Sequence, residues 1–401
     1  MSNETLKSQT SAAILTPVGR GAVATIRIAG DLSDLDRHSN VLFLAANERP
    51  LSQQPIGRIA FGHWSADQLP GEDVVVCRTR PDVLEIHCHG GDAAVRRILA
   101  DLNQAGCSVV DWRQQLADFA GELEAECADM LGRASTWRTA EILHEQASGL
   151  LRRSVEELKI AAVTPGHSSS ALVQLDALLE WLEFGKHLAQ PWTAVLTGRP
   201  NVGKSSLINA LLGYQRAIVF DQPGTTRDVV TAETAFDGWP VLLADTAGLR
   251  EATEELEAAG IALARERLEN ADARLVLIDL SQPPTDDDAN LIAHWPDAII
   301  IGHKCDLADQ WHDRLPAHAL RVSSVTGEGL DEIQRRLIDQ LIARVPPPGT
   351  PIPITQRQGS LLLRARNELI AGNSNAAQYM LEQILCGDNP AARSRGLMPG
   401  S

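Results

Sequence analysis

A glycine-rich stretch in the middle of the chain has the residue types that a bound phosphate needs. Residues 198–206 read GRPNVGKSS and fit the pattern G-x-x-x-x-G-K-[ST]. Gly198 and Gly203 let the backbone turn so that successive N–H groups face one anion. Lys204 adds a point charge between two phosphates, and Ser205 offers its hydroxyl to Mg²⁺. We predict a nucleotide-binding loop. A glycine-rich turn that binds nothing is disfavoured, because an apolar strand pattern precedes the complete motif and a helical pattern follows it.

Four further motifs follow the loop in the order that a GTPase requires. They read PGTTRD at 223–228, DTAG at 245–248, HKCD at 303–306 and SS at 323–324. A threonine hydroxyl of the first motif can complete the Mg²⁺ shell, and Asp245 places a carboxylate near the metal. Asp306 can accept two hydrogen bonds from the guanine edge, which adenine cannot offer. Because five motifs occur in order at predicted strand ends, we predict that the nucleotide is GTP.

Two of these motifs depart from the usual GTPase pattern. The base-reading motif is usually Asn-Lys-x-Asp, and here His303 replaces the asparagine. Because Asp306 is kept, we expect guanine specificity to survive with some loss of affinity. Leu249 stands where many GTPases have a glutamine that positions the attacking water, and an apolar side chain cannot do this. The water-positioning group must then come from elsewhere, and most glutamates of the following acidic run are expected on a solvated helix face: Glu251, Glu254, Glu255 and Glu257.

The composition limits the classes of protein to which the chain can belong. With 401 residues and a formal net charge of −16, it should hold two or three domains, and it has no run of Lys or Arg. A broad electrostatic contact with nucleic acid or a membrane is therefore disfavoured, although a local patch could still dock RNA. We expect a cytoplasmic protein with no membrane partner, because the first residues lack a signal-peptide core and the six cysteines form no C-x-x-C pair.

Hydrophobic periodicity divides the chain into four parts. Residues 1–112 alternate short apolar runs with turns and predict a small α+β domain. Residues 113–189 have helical spacing, residues 190–345 alternate strands with helices, and residues 346–401 contain a proline-rich linker and further helical spacing. The predicted fold class is therefore α/β, with a Ras-like P-loop G domain inserted into a helical domain and preceded by the small α+β domain.

At this point the sequence resembles the MnmE family of tRNA modification GTPases. The G-domain stretches are GRPNVGKS from 198, AIVFDQPGTTRD at 217–228 and ADTAGLREATEELEAAGI at 244–261. The N-terminal stretches are AILTPVGRGAVATIRIAG at 13–30 and DVLEIHCHGG at 82–91. The resemblance covers roughly the first 112 residues and the G domain, whereas the helical parts match only in outline.

The resemblance implies a potassium-activated GTPase whose G domains pair across a homodimer. Ser205 and Thr226 would hold Mg²⁺, and Glu257 matches the family's catalytic acid, which orients the water through a bridging water. The K⁺ shell would comprise the Asn201 side chain, the carbonyls of Phe220 and Gln222, and Thr225. The remaining GTP or GDP contacts would be Gly198, Val202, Gly203, Lys204 (also catalytic), Ser206, Asp221, Pro223, Gly224, Asp245, Thr246, Ala247, Gly248, His303, Lys304, Asp306, Ser323 and Ser324.

The resemblance also implies that the N-terminal domain binds a formyl-tetrahydrofolate and forms the constitutive dimer. Arg27 and Glu85 match two of the family's folate contacts. Two family elements are missing. The stretch after Val110 has no lysine to match the third folate contact, and the chain lacks the family's closing Cys-Ile-Gly-Lys.

Three functional hypotheses remain. The first is a K⁺-dependent GTP hydrolase in tRNA wobble-uridine (U34) modification, with an MnmG-like flavoprotein and tRNA as partners. The second is a divergent paralogue that uses the same GTP-driven pairing as a regulatory module, which the missing elements favour. The third is a ribosome-assembly GTPase, which the net charge and the folate-like domain disfavour.

Overall fold

In a computed structural model, the described residues are 10–17, 19, 21–37, 42–64, 71–214, 231–245, 266 and 268–387. The chain forms two compact units. One unit comprises Met1–Glu126 and Glu382–Ser401, and the other comprises Cys127–Leu381. Within the described ranges, no helix is both long enough and apolar enough to cross a membrane.

The first unit is built on a seven-stranded sheet with one long helix. The sheet and this helix comprise β1 Ser11–Ile14, β2 Val23–Ala29, β3 Phe43–Ala45, β4 Ile59–Trp64, β5 Glu72–Arg80, β6 Val83–His89, α1 Asp92–Gln104 and β7 Ser108–Val109. The strand order is β3-β4-β5-β6-β2-β1-β7. All neighbours are antiparallel except β1 and β7, which are parallel. Apolar runs in the sequence predict strands at 12–15, 23–28, 59–63, 73–77, 83–88 and 108–110. They therefore predict every strand but β3, which has only three residues and shows no clear alternation.

Alternation along the central strands buries one face of this sheet. Ile26 of β2 and Ile86 of β6 are paired, fully buried and belong to the same core as Ile98 of α1. The indole N–H of Trp64 donates to the Asp101 carboxylate of α1 over 2.9 Å, so this buried polar pair is satisfied. α1 therefore covers this face, and the opposite face carries the polar and partly exposed members of each strand.

Two core cysteines of this unit should resist alkylation until the protein unfolds. Burial, with a smaller contribution from Glu72, raises the pKa of the Cys88 thiol from 9.0 to about 11. Burial beside Asp34 likewise raises the pKa of Cys107 to about 11. Since only the thiolate reacts, the reactive fraction at pH 8 falls about 100-fold from that of a thiol of ordinary pKa. Iodoacetamide labelling read by peptide mass spectrometry should modify both in denaturant and neither in the native protein. Equal labelling in both states would contradict the burial.

Six helices follow the N-terminal sheet. They are α2 Trp112–Ala120, α3 Glu122–Gly132, α4 Trp137–Ala147, α5 Leu150–Val163, α6 Ser168–Leu179 and α7 Leu182–Lys186. The helical spacing of residues 113–189 predicts this layer, and its first helix, α2, ends at Ala120, directly before Gly121. There φ is +116°, and the Gly121 N–H donates to Ala117 O. A glycine in this conformation ends a helix at little cost, which separates α2 from α3.

The second sheet belongs to a Ras-like P-loop domain. Its elements are β8 Trp192–Gly198, α8 Lys204–Tyr214, β9 Thr231–Phe236, β10 Trp239–Asp245, β11 Ala273–Asp279, α9 Asp286–His294, β12 Ile299–His303, β13 Leu320–Val322 and α10 Leu330–Leu341. The order is β13-β12-β11-β8-β10-β9, and only β9 runs antiparallel to its neighbour. The parallel strands are buried on both faces and read as near-continuous apolar runs. Their carboxyl ends meet at one edge, where open α/β sheets bind ligands.

The helical layer is assembled from segments on both sides of this domain. The Gln146 side chain of α4 donates to Thr350 O and accepts from the Ile352 N–H. Two further helices follow, α11 Gln356–Ile370 and α12 Ser374–Cys386. Arg366 of α11 donates to the Asp176 carboxylate of α6. The predicted fold class, a G domain inserted into a helical domain, is therefore confirmed.

Candidate functional site

The loop between β8 and α8 has the backbone conformation of a phosphate cradle. φ is +154° at Gly198, +65° at Asn201 and +101° at Gly203. A Cβ added to Gly198 would lie 2.6 Å from the carbonyl oxygen of Leu277, so only glycine fits there. Asparagine tolerates the left-handed region better than most side chains. The loop can therefore turn its N–H groups towards one anion at the amino end of α8.

The side chain of Lys204 lies against the same loop. Its side chain is buried, and Nζ donates to Gly198 O and Arg199 O, each over 3.1 Å. A buried ammonium is stable only with such partners, because they replace part of the hydrogen bonds to water that burial removes. The ammonium consequently lies against the loop, where phosphate oxygens would approach the backbone N–H groups.

Two hard oxygen donors converge beside the loop. β10 runs parallel to β8, and it ends at the buried Asp245, which is paired with Leu196. The Ser205 hydroxyl donates to Asp245 Oδ2 over 2.9 Å. Hydroxyl and carboxylate oxygens are the ligands that Mg²⁺ prefers, so the pair fits this ion. Ser206 follows on the first turn of α8 and is exposed.

His303 connects the phosphate loop to the loop that follows β13. Its imidazole is only 3% exposed, with Nδ1 2.8 Å from Val202 O and Nε2 2.7 Å from Ser324 Oγ. Burial lowers the pKa of His303 below its ordinary value, and the charge of Lys304 acts in the same direction. The hydrogen bond to Val202 and nearby carboxylates oppose this shift only in part. The ring is therefore neutral at pH 7 and acts as a bridge.

Lys304 also contacts the phosphate loop, and it forms an ion pair with Asp279 that sequence reasoning missed. It has a φ of +60°, and its Nζ donates to Asn201 O over 3.2 Å and to Asp279 Oδ2 over 2.6 Å. Burial alone would raise the pKa of Asp279, but hydrogen bonds from Lys304 and Ser281 lower it below its usual value. An acidic residue at the carboxyl end of β11 was the available signal, since β11 lies between β8 and β12.

The other residues predicted to contact the guanine base, Asp306, Ser323 and Ser324, differ in their surroundings. Asp306 is exposed and makes no hydrogen bond to any described residue, so its carboxylate is available to a ligand. Ser323 is fully buried, and its hydroxyl accepts from the N–H groups of Val325 and Thr326, each over 3.2 Å. Ser323 therefore shapes the turn, while Ser324 reaches His303.

Gly203→Ala should weaken GDP binding about 10-fold or more. The new Cβ would lie 2.5 Å from Cε1 and 2.6 Å from Nδ1 of His303, at a φ of +101° that L-residues rarely adopt. The His303 ring or the loop would have to move, and the N–H groups would lose their alignment. Gly213→Ala in α8 is the matched control, because its Cβ meets nothing within 4 Å and should leave affinity unchanged. Equal affinities of the two variants for a fluorescent GDP analogue would contradict the close contact.

Several predicted site residues lie outside the described residues. They are Phe220, Asp221, Gln222, Pro223, Gly224, Thr225, Thr226, Thr246, Ala247, Gly248 and Glu257. The described residues therefore bring together the phosphate loop, Asp245 and the base-site loops.

A separate pocket lies on the N-terminal sheet. Arg27 and Glu85 are paired across β2 and β6, and Arg27 Nη2 donates to Glu85 Oε1 over 3.0 Å. They line a cavity of about 280 Å³, together with residues of α2. Gln115 of α2 fixes the helix there, since its amide lies 3.1 Å from Ser11 O and 3.2 Å from Arg27 O. Sequence reasoning missed α2 as a wall of this pocket.

Arg80 and Phe119 add a cation–π pair to the pocket wall. The Arg80 guanidinium carbon lies 5.6 Å from the centre of the Phe119 ring, within the range of this interaction. The pocket thus combines an ion pair, a second guanidinium and an aromatic ring. Such a lining suits a planar polar ligand with an acidic group.

Comparisons with known proteins match both parts of the chain. Residues 10–112 match a family model described as the N-terminus of the GTP-binding protein TrmE. Residues 193–304 match a model described as a 50S ribosome-binding GTPase. The G domain of the T. maritima FeoB iron transporter is 26% identical, covering 38% of this chain and 100% of its own, with a TM-score of 0.29.

Relatives named tRNA modification GTPase MnmE match most of the chain. The relative from Geobacillus thermodenitrificans is 32% identical, covering 82% of this chain and 81% of its own. That from Carboxydothermus hydrogenoformans is 30% identical, covering 98% and 96%. That from Synechococcus sp. WH7803 is 33% identical, covering 92% and 89%. The likeness thus extends well beyond the two family models.

Proposed function

The chain belongs to the family of the tRNA modification GTPase MnmE, and from that premise we propose that it is a potassium-activated GTP hydrolase acting in wobble-uridine modification of tRNA. The GTPase activity itself follows from the family and from the G domain. The observation that carries the tRNA proposal is the likeness to a relative of that name over 96% of the relative's length.

Hydrolysis of GTP requires charge stabilisation more than covalent chemistry. In the transition state, negative charge is spread over the oxygens of the transferred phosphoryl group. The loop N–H groups and Lys204 would bind these oxygens, which is supported by the left-handed turns of the loop and by the Lys204 ammonium lying against its carbonyls. Ser205 and Thr226 would hold Mg²⁺, with Asp245 beside it; the ion, when bound, neutralises charge on the β- and γ-phosphates.

Potassium activation assigns a second cation to the same loop. Asn201 would hold K⁺ through its side chain, with the carbonyls of Phe220 and Gln222 and with Thr225. A monovalent cation at that place supplies the transition-state charge that an arginine finger supplies in other GTPases. Two features of Asn201 support the proposal. The residue is exposed, and its left-handed backbone lies at the turn of the loop.

Water activation is assigned to Glu257. Leu249 cannot position the water, whereas a glutamate carboxylate can do so through hydrogen bonds. Glu257 lies twelve positions after Asp245 in the sequence, as does the family's catalytic acid.

A homodimer is supported by the open face of the N-terminal sheet. Ile59 is 75% exposed, Leu44 is 55% exposed and Phe61 is 54% exposed. The pairing of β3 with β4 places them on the same face, away from the α1 core. Large apolar side chains grouped on one face are typical of protein interaction surfaces. We assign this face to the second copy of the chain.

The N-terminal pocket is proposed to bind a formyl-tetrahydrofolate. Its residues fit this group in part: Glu85 can accept from pterin donors, Arg27 can donate to a carbonyl or carboxylate, and Phe119 offers an aromatic face. The stretch after Val110 provides no lysine for this pocket. The pocket wall does include a second guanidinium, that of Arg80. The folate, when bound, supplies a one-carbon unit.

Deletion of the gene tests the tRNA role. We expect loss of the modified wobble uridine from the host's tRNA, measured by mass spectrometry of tRNA nucleosides, and restoration by the wild-type gene. Persistence of the modification in a host that encodes no other family member would instead support the regulatory module. An MnmG-like flavoprotein and tRNA are the partners that this proposal requires.

A further inference from the structure

His303 uses both of its ring nitrogens within the protein. Nδ1 lies 2.8 Å from Val202 O of the phosphate loop. Nε2 lies 2.7 Å from the hydroxyl of Ser324, in the loop that follows β13, which we call the base-site loop. His303 is 3% exposed, so water can hardly replace either of these two hydrogen-bond partners. These contacts connect two loops that are about 120 residues apart in the chain.

The identities of these partners fix the ring's proton. A carbonyl oxygen only accepts, so Nδ1 must carry the N–H that faces Val202. Because burial keeps the ring neutral, Nε2 has no proton and accepts from the Ser324 hydroxyl. A neutral imidazole has one N–H, and here it is committed to the phosphate loop.

An asparagine at this position would have different donors. Its amide carries two N–H groups, so one can bind Val202 O while the other faces the nucleotide. Guanine presents N7 and O6 as acceptors on one edge and N–H donors on the other. Asp306, exposed and without a hydrogen-bond partner among the described residues, can pair with the donor edge only.

We propose that His303 is a positioning residue that holds the phosphate loop and the base-site loop together and leaves guanine N7 without a side-chain donor. Nucleotide recognition then depends on Asp306 and the loop geometry, and it tolerates replacement of N7 by carbon. The proposal rests on guanine-nucleotide binding at this site, but not on potassium activation or on tRNA modification.

The test compares GDP with 7-deaza-GDP, which lacks the N7 acceptor. Competition against a fluorescent GDP analogue on the full chain gives both dissociation constants. For the wild type, we expect the two Kd values to agree within about twofold. A Kd for 7-deaza-GDP at least fivefold higher than that for GDP would overturn the proposal, because N7 would then have a donor.

Two variants separate the missing donor from the bridging role. His303→Asn should tighten GDP binding relative to 7-deaza-GDP by about 2- to 10-fold, the contribution of one neutral hydrogen bond. His303→Ala should weaken the binding of both nucleotides equally, by about 10-fold or more, because the two loops are then no longer connected by the imidazole. If His303→Asn left the ratio unchanged, or if His303→Ala bound both nucleotides like the wild type, the assignment to His303 would be wrong.

His318→Asn is the matched control for these variants. His318 is exposed and lines a groove beside Ile299 and Ile300, at the amino end of β12, whereas His303 lies at its carboxyl end. Both Kd values should equal those of the wild type. Melting curves of each variant confirm folding, and the wild-type ratio decides the proposal even if a variant fails to fold.

Discussion

Lys204→Ala should lower the rate constant for GTP hydrolysis by about 10²- to 10³-fold, the usual cost of removing one preorganised donor from a developing charge. The buried ammonium lies at the phosphate loop and donates to two of its carbonyls. Its removal leaves the γ-phosphoryl charge facing only N–H groups and cations. Single-turnover hydrolysis of GTP, at a protein concentration that compensates for weaker binding, measures the effect.

Lys159→Ala is the control for this variant. Lys159 lies on α5 in the helical layer, outside the nucleotide site, and its replacement should leave the hydrolysis rate unchanged. A Lys204→Ala rate within about threefold of the wild type would show that the loop does not act as the phosphate site.

Glu257→Gln should lower GTP turnover by about 10²- to 10⁴-fold, the range for loss of a positioned acid–base group. The amide keeps the size of the side chain but removes the charge that is proposed to orient the water. Nucleotide affinity should stay close to that of the wild type, since the proposed role of Glu257 is to act on the water and not on the phosphates. Turnover and the Kd for a GTP analogue are measured in parallel.

Glu255→Gln makes the comparison specific, because this neighbouring glutamate is expected on the solvated face of the same acidic run. It should retain the wild-type turnover. If both variants lost activity equally, the effect would belong to the charge of the segment, and the assignment of Glu257 would be wrong.

The phosphate loop and the strand ends could be predicted from sequence because their signals are local. Gly198, Gly203 and Lys204 lie within seven consecutive residues, and each is required by the backbone or by the charge of a phosphate. The buried parallel strands gave continuous apolar runs of the right length. Strand β3 was missed because three residues contain too little alternation to be distinguished from a loop.

The rest of the site depends on contacts between distant parts of the chain. The effect of His303 could be stated only as an expected loss of affinity, because its partners Val202 and Ser324 become visible only once β8, β12 and β13 are aligned. Gln115 reaches the pocket by contacting Ser11, 104 residues away. Local periodicity predicts that a helix forms at Gln115, but not what the helix covers.

The most direct test of potassium activation is GTP turnover by the full chain in K⁺ and in Na⁺ at equal ionic strength. The proposal assigns K⁺ to a shell of Asn201, Phe220, Gln222 and Thr225, and the smaller Na⁺ should not fill such a shell. We expect turnover in K⁺ to exceed that in Na⁺ by about 10-fold or more, and Asn201→Ala to remove the difference, as expected for a cation in place of an arginine finger. Equal turnover in the two salts would contradict the assignment.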